Sequence, residues 1–415
     1  MEIKPGYKQT EVGVIPGEWK VKSLGSIGHV IRGSSPRPKG DKRFYGGNIP
    51  RLMVEDVTRD RKFVTPIIDF LTIEGSKHSR SCKRGTLTVV CSGTPTVVGL
   101  PSILAVDACI HDGMLALVQL DQAVETEYLF YRLTSLQEQL HASATHGGTF
   151  VNLTTTGFGA FTITLPTTSE QRAIAGRLSD VDALLGTLDK LITKKRDLKQ
   201  AAMQQLLTGK TRLPGFHDEW QTKNLGNTGA FLKGFGIKKD EIVSDGVACI
   251  RYGEIYTHHH DHLKKFNSFI TPTTAKQSQR IQKGDLLFAA SGETTEEIGK
   301  CVAFLGDEEA YAGGDIIIFR PVGQDSKFLG YLMNQSSITS QKARMGQGEV
   351  VVHISSRNLA RLDLHLPPQC EQTAIAEVLS DMDAELAALE QRRKKTRDIK
   401  QGMMQELLTG KTRLI

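Results

Sequence analysis

Residues 170–213 and 371–414 align without a gap, and 27 of the 44 positions are identical. The same offset of 201 pairs Trp19 with Trp220, Leu24 with Leu225, Gly25 with Gly226, Gly28 with Gly229 and Val151 with Val352. Both segments close on one octapeptide, LLTGKTRL, at 206–213 and 407–414. A chain of this kind is two tandem copies of one unit, so any fold proposed for it must be made twice. Each copy is a divergent region of roughly 150 residues followed by a near-duplicate segment.

Within the duplicated segment, apolar residues recur at steps of four and three: Ile174, Leu178, Val181, Leu185, Leu188 and Ile192, then Ile375, Leu379, Met382, Leu386 and Leu389. That 3.5-residue period is the seam of a coiled coil, and it predicts one long helix per copy. The stripe falters at Lys195 and Lys199, and at Arg393, Thr396 and Lys400, then resumes at Ala202 and Leu206, or Met403 and Leu407. Gly209 and Gly410 stand where a left-handed helix cap belongs. TGKT also matches the end of a phosphate-binding loop, but Gln204 and Gln405 occupy the place of its first glycine and no strand precedes either copy.

Charge indicates how the helices pair. Each is acidic early (Asp180, Asp182; Asp381, Asp383, Glu385) and basic in the middle (Lys194–Arg196; Arg392–Lys395, Arg397). Parallel pairing would stack like on like, so the antiparallel sense is expected, with Arg196 near Asp383 and Asp182 near Arg397. The same charges also suit solvated faces. After LLTGKTRL the first copy continues into PGFHDEW, whereas VIPGEW lies at 14–19. Residues 1–19 are therefore expected to pack beside the end of the second helix and complete a pseudo-twofold.

The divergent regions read differently. TLTVVCSG, MLALVQL and AFTITLP in the first, and DLLFAASG, CVAFL and DIIIFRP in the second, are short β-branched runs split by turn residues. One helical stretch follows in each, EYLFYRLTSLQEQLH and KFLGYLMNQSSITSQKA. The expected fold is α+β in four parts: mixed α/β domains at 1–168 and 214–369, and long helices at 169–213 and 370–415 that pack as an antiparallel coiled coil. Trp19 and Trp220 read as core anchors.

No apolar run reaches membrane-spanning length, and the six cysteines stand far apart with no C-x-x-C pair. A reduced, cytoplasmic setting is expected. The net charge of +6 divides as +3 for 1–169, +4 for 170–213, −1 for 214–370 and 0 for 371–415. An anionic partner is thus favoured by the first half, and by local patches only in the second.

No H-E-x-x-H, G-x-S-x-G or complete phosphate loop occurs, so no enzymatic constellation is expected and no cofactor or metal on this chain. HHHDH at 258–262 clusters imidazoles but lacks ligand spacing, and reads as a polar loop. The best nucleic-acid candidate is RGSSPRPKGDKRFYGG at 32–47, with five basic residues against one acid. Arginine can read guanine, while lysine and small polar groups hold phosphates. It offers Arg32, Ser34, Ser35, Arg37, Lys39, Lys42 and Arg43. Its counterpart FLKGFGIKK offers Lys233, Lys238 and Lys239. Two further turns recur: SGTPTVVG with SGETTEEIG (Thr94, Thr294), and THGGTFVN with MGQGEVVVH (Thr149, Gln347).

The whole chain resembles the DNA specificity (S) subunits of type I restriction–modification enzymes. The likeness rests on G-V-I-P-G-E-W at 13–19, its echo L-P-G-F-H-D-E-W at 213–220, the two L-P…E-Q-x-A-I-A-x-x-L-S-D-x-D helix entries at 165–182 and 366–383, and the LLTGKTRL ends. The resemblance implies that each α/β domain is a target-recognition domain reading one half of a split, asymmetric sequence in double-stranded DNA. It implies that the helices are antiparallel spacers that also dock partners, with Leu178, Leu185, Leu188, Leu379, Leu386 and Leu389 marking these partner-binding helices. Those partners would be two methylation (M) subunits, carrying S-adenosylmethionine, and restriction (R) subunits, using ATP and Mg. The subunit itself would be non-catalytic. A pure coiled-coil scaffold, or a DNA-binding protein outside restriction–modification, is the rival reading.

Overall fold

The computed structural model describes residues 4–147, 150–348 and 351–414. The chain divides into two compact units, one made of 1–189 with 392–415 and the other of 190–391. The boundary falls inside each long helix, so each unit holds an α/β region, the first half of one helix and the end of the other.

In the first unit a five-stranded sheet has the order His29–Arg32, Met114–Val118, Leu87–Val90, Pro101–Leu104, Phe63–Val64. A four-stranded sheet orders Asp69–Leu71, Tyr45–Leu52, Ala108–Ile110 and Arg80–Cys82. In the second unit the corresponding sheets are Gly229–Lys233, Ile316–Pro321, Leu286–Ala289, Cys301–Ala303 and Ile242–Val243, Ser268–Ile270, Val247–Ile250, Ala310–Ala312, Gln279–Ile281. The central strands Leu87–Val90 and Leu286–Ala289 are buried at every position, so both faces of each are covered, and Thr88, the polar residue among them, bonds Ser102.

The single helical stretch expected after the strands is two helices in each unit. Thr126–Ser135 and Gln137–Ala142 break at Leu136; Ser326–Met333 and Ser336–Met345 break around Asn334. The second break has a clear cause. The Asn334 amide leaves the helix to bond Cys301 O at 2.8 Å and Asp261 at 3.2 Å, and Gln335 caps the next helix through Ser337 N.

The long helices are Thr168–Leu206 and Gln369–Leu407, 39 residues each. Gly209 (φ 68) and Gly410 (φ 72) take the left-handed conformation expected of the stops. Their entries explain the Glu-Gln pair in the repeat. Glu170 is fully buried and accepts Trp19 Nε1–H at 2.8 Å and the Arg413 guanidinium; Glu371 accepts Trp220 at 3.2 Å and Arg212 at 2.6 Å. Gln171 accepts the Glu125 amide and Gln372 the Asp325 amide, tying each helix to its own α/β region.

Within each unit the helix segments are antiparallel, as the charges suggest, but the pairs are shifted by about one turn. Asp182 meets Lys400 at 2.6 Å and Asp189 meets Arg393 at 2.9 Å; Asp383 meets Lys199 at 2.7 Å and Glu385 meets Lys195 at 2.7 Å. Arg196 turns to Glu390 rather than Asp383. A tyrosine from the α/β region fixes this register. Tyr131 donates to Asp182 at 2.6 Å beneath Lys400, and Tyr331 donates to Asp383 at 2.6 Å beneath Lys199.

The first unit's core joins Ile15, Trp19, Ile174 and Leu178 to Leu407 and Leu408. The second joins Leu206, Leu207 and Leu225 to Ile375 and Leu379. Residues from the start of the chain do pack beside the end of the second helix: Tyr7 OH donates to Gly410 O at 2.8 Å, and Arg413 reaches Glu18 at 3.1 Å. Among the described residues, no helix is long and apolar enough to cross a membrane.

Candidate nucleic-acid interface

Strand His29–Arg32 delivers the basic loop, and a glycine makes the delivery possible. A Cβ on Gly33 would lie 2.1 Å from His111 O, so the loop runs against the His111–Gly113 turn with no room for a side chain. Gly234 makes the same approach to Gly313 O, again 2.1 Å. Gly33 N–H bonds Met114 O and Gly234 N–H bonds Ile316 O, both at 2.9 Å. The two loops therefore leave their sheets in the same way although their sequences differ.

In the first unit Arg32, Ser35 and Arg37 converge on Asp112. Arg32 Nε donates to Asp112 O at 2.8 Å and its Nη2 to Asn152 Oδ1 at 3.3 Å. Ser35 Oγ donates to Asp112 Oδ1 at 3.0 Å, and the exposed Arg37 lies 3.7 Å from Oδ2. Ser34 is pinned differently, its Oγ on His78 O and its carbonyl on Ser79 Oγ. Lys39 and Lys42 are exposed. Arg43 is exposed but forked onto Asp41 and stacked on Phe44 at 5.2 Å. That ion pair holds the Asp41 carboxyl below, and the Arg43 guanidinium above, their ordinary ranges. Thr94 is exposed and bonds Thr96. Thr149 lies outside the described residues.

In the second unit Lys233, Ser291, Asp315 and His353 line one cavity of about 420 Å³. Ser291 Oγ and His353 Nδ1 are 2.9 Å apart, and the exposed Gln347 pairs through its backbone with His353. Lys239 lines a neighbouring cavity of about 590 Å³ with Arg251 and Tyr252. Lys238 and Thr294 are exposed.

Several groups at these sites escape a reading by composition: Arg51, His111, Asp112 and Asn152 in the first unit, Ser291 and His353 in the second. Arg51 is buried, bound to Asp69 and Ser35, with its guanidinium 5.1 Å from the Tyr45 ring centre. The repeat carries a usable signal for one pair. Offset by 201, Asn152 falls on His353, and their strands pair with Ser92–Gly93 and Ser291–Gly292 in the same manner.

The HHHDH tract is a docking loop. Asp261 faces Lys199 at 3.5 Å, and His262 packs edge-on against Tyr331 at 4.4 Å. Burial pushes the His259 imidazole down to about 4. Among the described residues no cluster of His, Cys, Asp or Glu could hold a metal ion. Of the six seam leucines, Leu178, Leu188 and Leu379 are buried within the chain, whereas Leu185, Leu386 and Leu389 are half-buried.

The family described as the type I restriction modification DNA specificity domain matches residues 16–195 and again 217–397. The chain is similar to the type I restriction enzyme MjaVIII specificity subunit of Methanocaldococcus jannaschii, with 26% identity covering 96% of this chain and 94% of that one. Its fold is similar to that of the type I restriction–modification S subunit from M. genitalium, with a TM-score of 0.60 at 14% identity over 98% of both chains. A chain from a structural study of complex assembly in the type I R-M system is also similar, with a TM-score of 0.57 at 15% identity over 96% of this chain and 99% of that one.

Proposed function

This chain belongs to the family of type I restriction–modification DNA specificity domains, and on that premise we propose that its two α/β regions read the two different halves of a split, asymmetric target in double-stranded DNA. The chain is the non-catalytic specificity subunit, which provides target recognition within the restriction–modification complex. The recognition domains are 1–168 and 214–369, and the spacers are 169–213 and 370–415. Arg32, Ser34, Ser35, Arg37, Lys39, Lys42, Arg43, Thr94 and Thr149 serve one half-site. Lys233, Lys238, Lys239, Thr294 and Gln347 serve the other.

One observation carries the two-half reading. The same glycine approach, at Gly33 and Gly234, presents different side chains at matched places: Arg32 against Lys233, and Asn152 against His353. A common frame with changed contact groups suits two sites of unlike sequence. Two methylation subunits, carrying S-adenosylmethionine, dock on the helices, and restriction subunits using ATP and Mg join them. A DNA target places the assembly in the cytoplasm.

Exchange of residues 220–365 for the equivalent stretch of another family member tests the reading. Methylation mapping should show one half-site replaced and the other retained. A change in both halves, or in neither, would refute it.

A further inference from the structure

Beside the first basic loop lies a polar pocket of about 230 Å³, lined by Ser35, Arg37, Lys39, His111 and Asp112 among others. Its hydrogen bonds can be followed atom by atom. The Gly113 amide donates to His111 Nδ1 at 2.9 Å, which leaves the ring proton on Nε2, 2.8 Å from Asp112 Oδ1. Arg51 donates to Ser35 Oγ at 2.9 Å, which turns the Ser35 hydrogen onto the same Asp112 oxygen at 3.0 Å. Oδ1 therefore takes two donors. Oδ2 faces Arg37 at 3.7 Å, a side chain 74% exposed and free to leave.

Burial opposes the charge on Asp112, but His111, Ser35 and Arg37 outweigh it and hold the carboxyl below its usual range. Burial also keeps the His111 imidazole below its ordinary range. The pocket thus offers one oriented, ionised acceptor. Phosphates repel such a group, even inside a basic loop. On the major-groove edge of DNA it is satisfied by an exocyclic amine, cytosine N4 or adenine N6.

We propose that Asp112 Oδ2 accepts the exocyclic amine of one base in the half-site read by the first unit, and so selects adenine or cytosine there. The proposal rests on the chain acting as a DNA specificity subunit. Its internal control is the second unit. There Gly313 takes the place of His111 against the loop glycine, and Asp315 O that of Gly113 O in bonding Ala290 N, so Gly314 stands where Asp112 does.

The test uses the full chain assembled with its methylation subunits and a target defined by methylation mapping. In duplex DNA, each adenine of the first half-site is replaced in turn by purine and each cytosine by 2-pyrimidinone, which lack the amine. One position should lose about tenfold in binding, and in the Asp112→Ala complex that position should lose nothing. The proposal falls if no position in that half-site responds more than about twofold, a result the unmodified chain supplies even if the variant fails to fold. It also falls if the penalty survives in Asp112→Ala. A chain that directs methylation to no defined sequence would instead fail as a specificity subunit and take this inference with it.

Discussion

Lys342 is fully buried, which is rare for a lysine, and its Nζ donates to Gly299 O at 2.6 Å. It pegs the end of the turn that carries Thr294 to the helix Ser336–Met345. Burial pushes its ammonium down to about 8 from an ordinary 10.5. Below pH 8 both folded and unfolded chains carry the proton, and the full burial penalty applies. Between pH 8 and 10.5 the unfolded chain binds more protons, so the group's contribution to stability rises with pH. The gain across that window is of order 3 kcal/mol. The urea midpoint of the native chain should therefore climb relative to Lys342→Met between pH 8 and 10, and midpoints that stay parallel would refute the account. Residue-scale features of this kind were invisible in sequence. Nothing in QKARMGQGE marks a lysine that points inward, and nothing in IHDGM marks Asp112 as the partner of a loop about 75 residues earlier.

At the scale of the element, the long helices were the most legible part of the chain. A buried stripe imposes a period on the sequence, and Ile192 (1% exposed) and Leu379 (0%) lie on it as expected. The antiparallel sense was legible from charge, but the register was not. Surface ion pairs differ too little in energy to choose between alignments one turn apart. The choice falls to Tyr131 and Tyr331, which come from the short helices Thr126–Ser135 and Ser326–Met333, outside the duplicated segment. Another face of the first long helix is left partly uncovered. Leu191 and Leu198 remain 36% and 46% exposed, seven residues apart on a face turned away from Ile192. If methylation subunits dock there, Leu198→Glu should cut co-purification with them at least tenfold while leaving the urea midpoint unchanged. Ile192→Glu should instead destabilise the chain by more than about 3 kcal/mol, because it buries an unpaired charge. Equal retention of partners by Leu198→Glu and the native chain would exclude this face.

At the scale of the whole molecule, one closure is built in two ways. In the second unit, continuous chain leads from Leu206 and Leu207 through Gly209 to Trp220, and Arg212 and Trp220 meet on Glu371. In the first unit the same parts come from opposite ends of the sequence. Leu407 and Leu408 pack with Ile15 and Trp19, Tyr7 bonds Gly410, and Arg413 and Trp19 meet on Glu170. The repeat made this legible because KTRL runs into PGFHDEW only once. What sequence could not supply is that the noncovalent version preserves the buried carboxylate, the indole and the guanidinium of the covalent one. If the contacts and not the connection hold these cores, the connection can be moved. A permutant that links Ile415 to Met1 through a short linker, and opens the exposed turn at Pro214–Gly215, exchanges the covalent and noncovalent closures. Such a chain should assemble with methylation subunits, direct methylation to the unchanged target, and melt within a few degrees of the native chain. Loss of assembly, or a second unit that melts separately, would show that the Leu207–Trp220 connection does more than join two pieces that already fit.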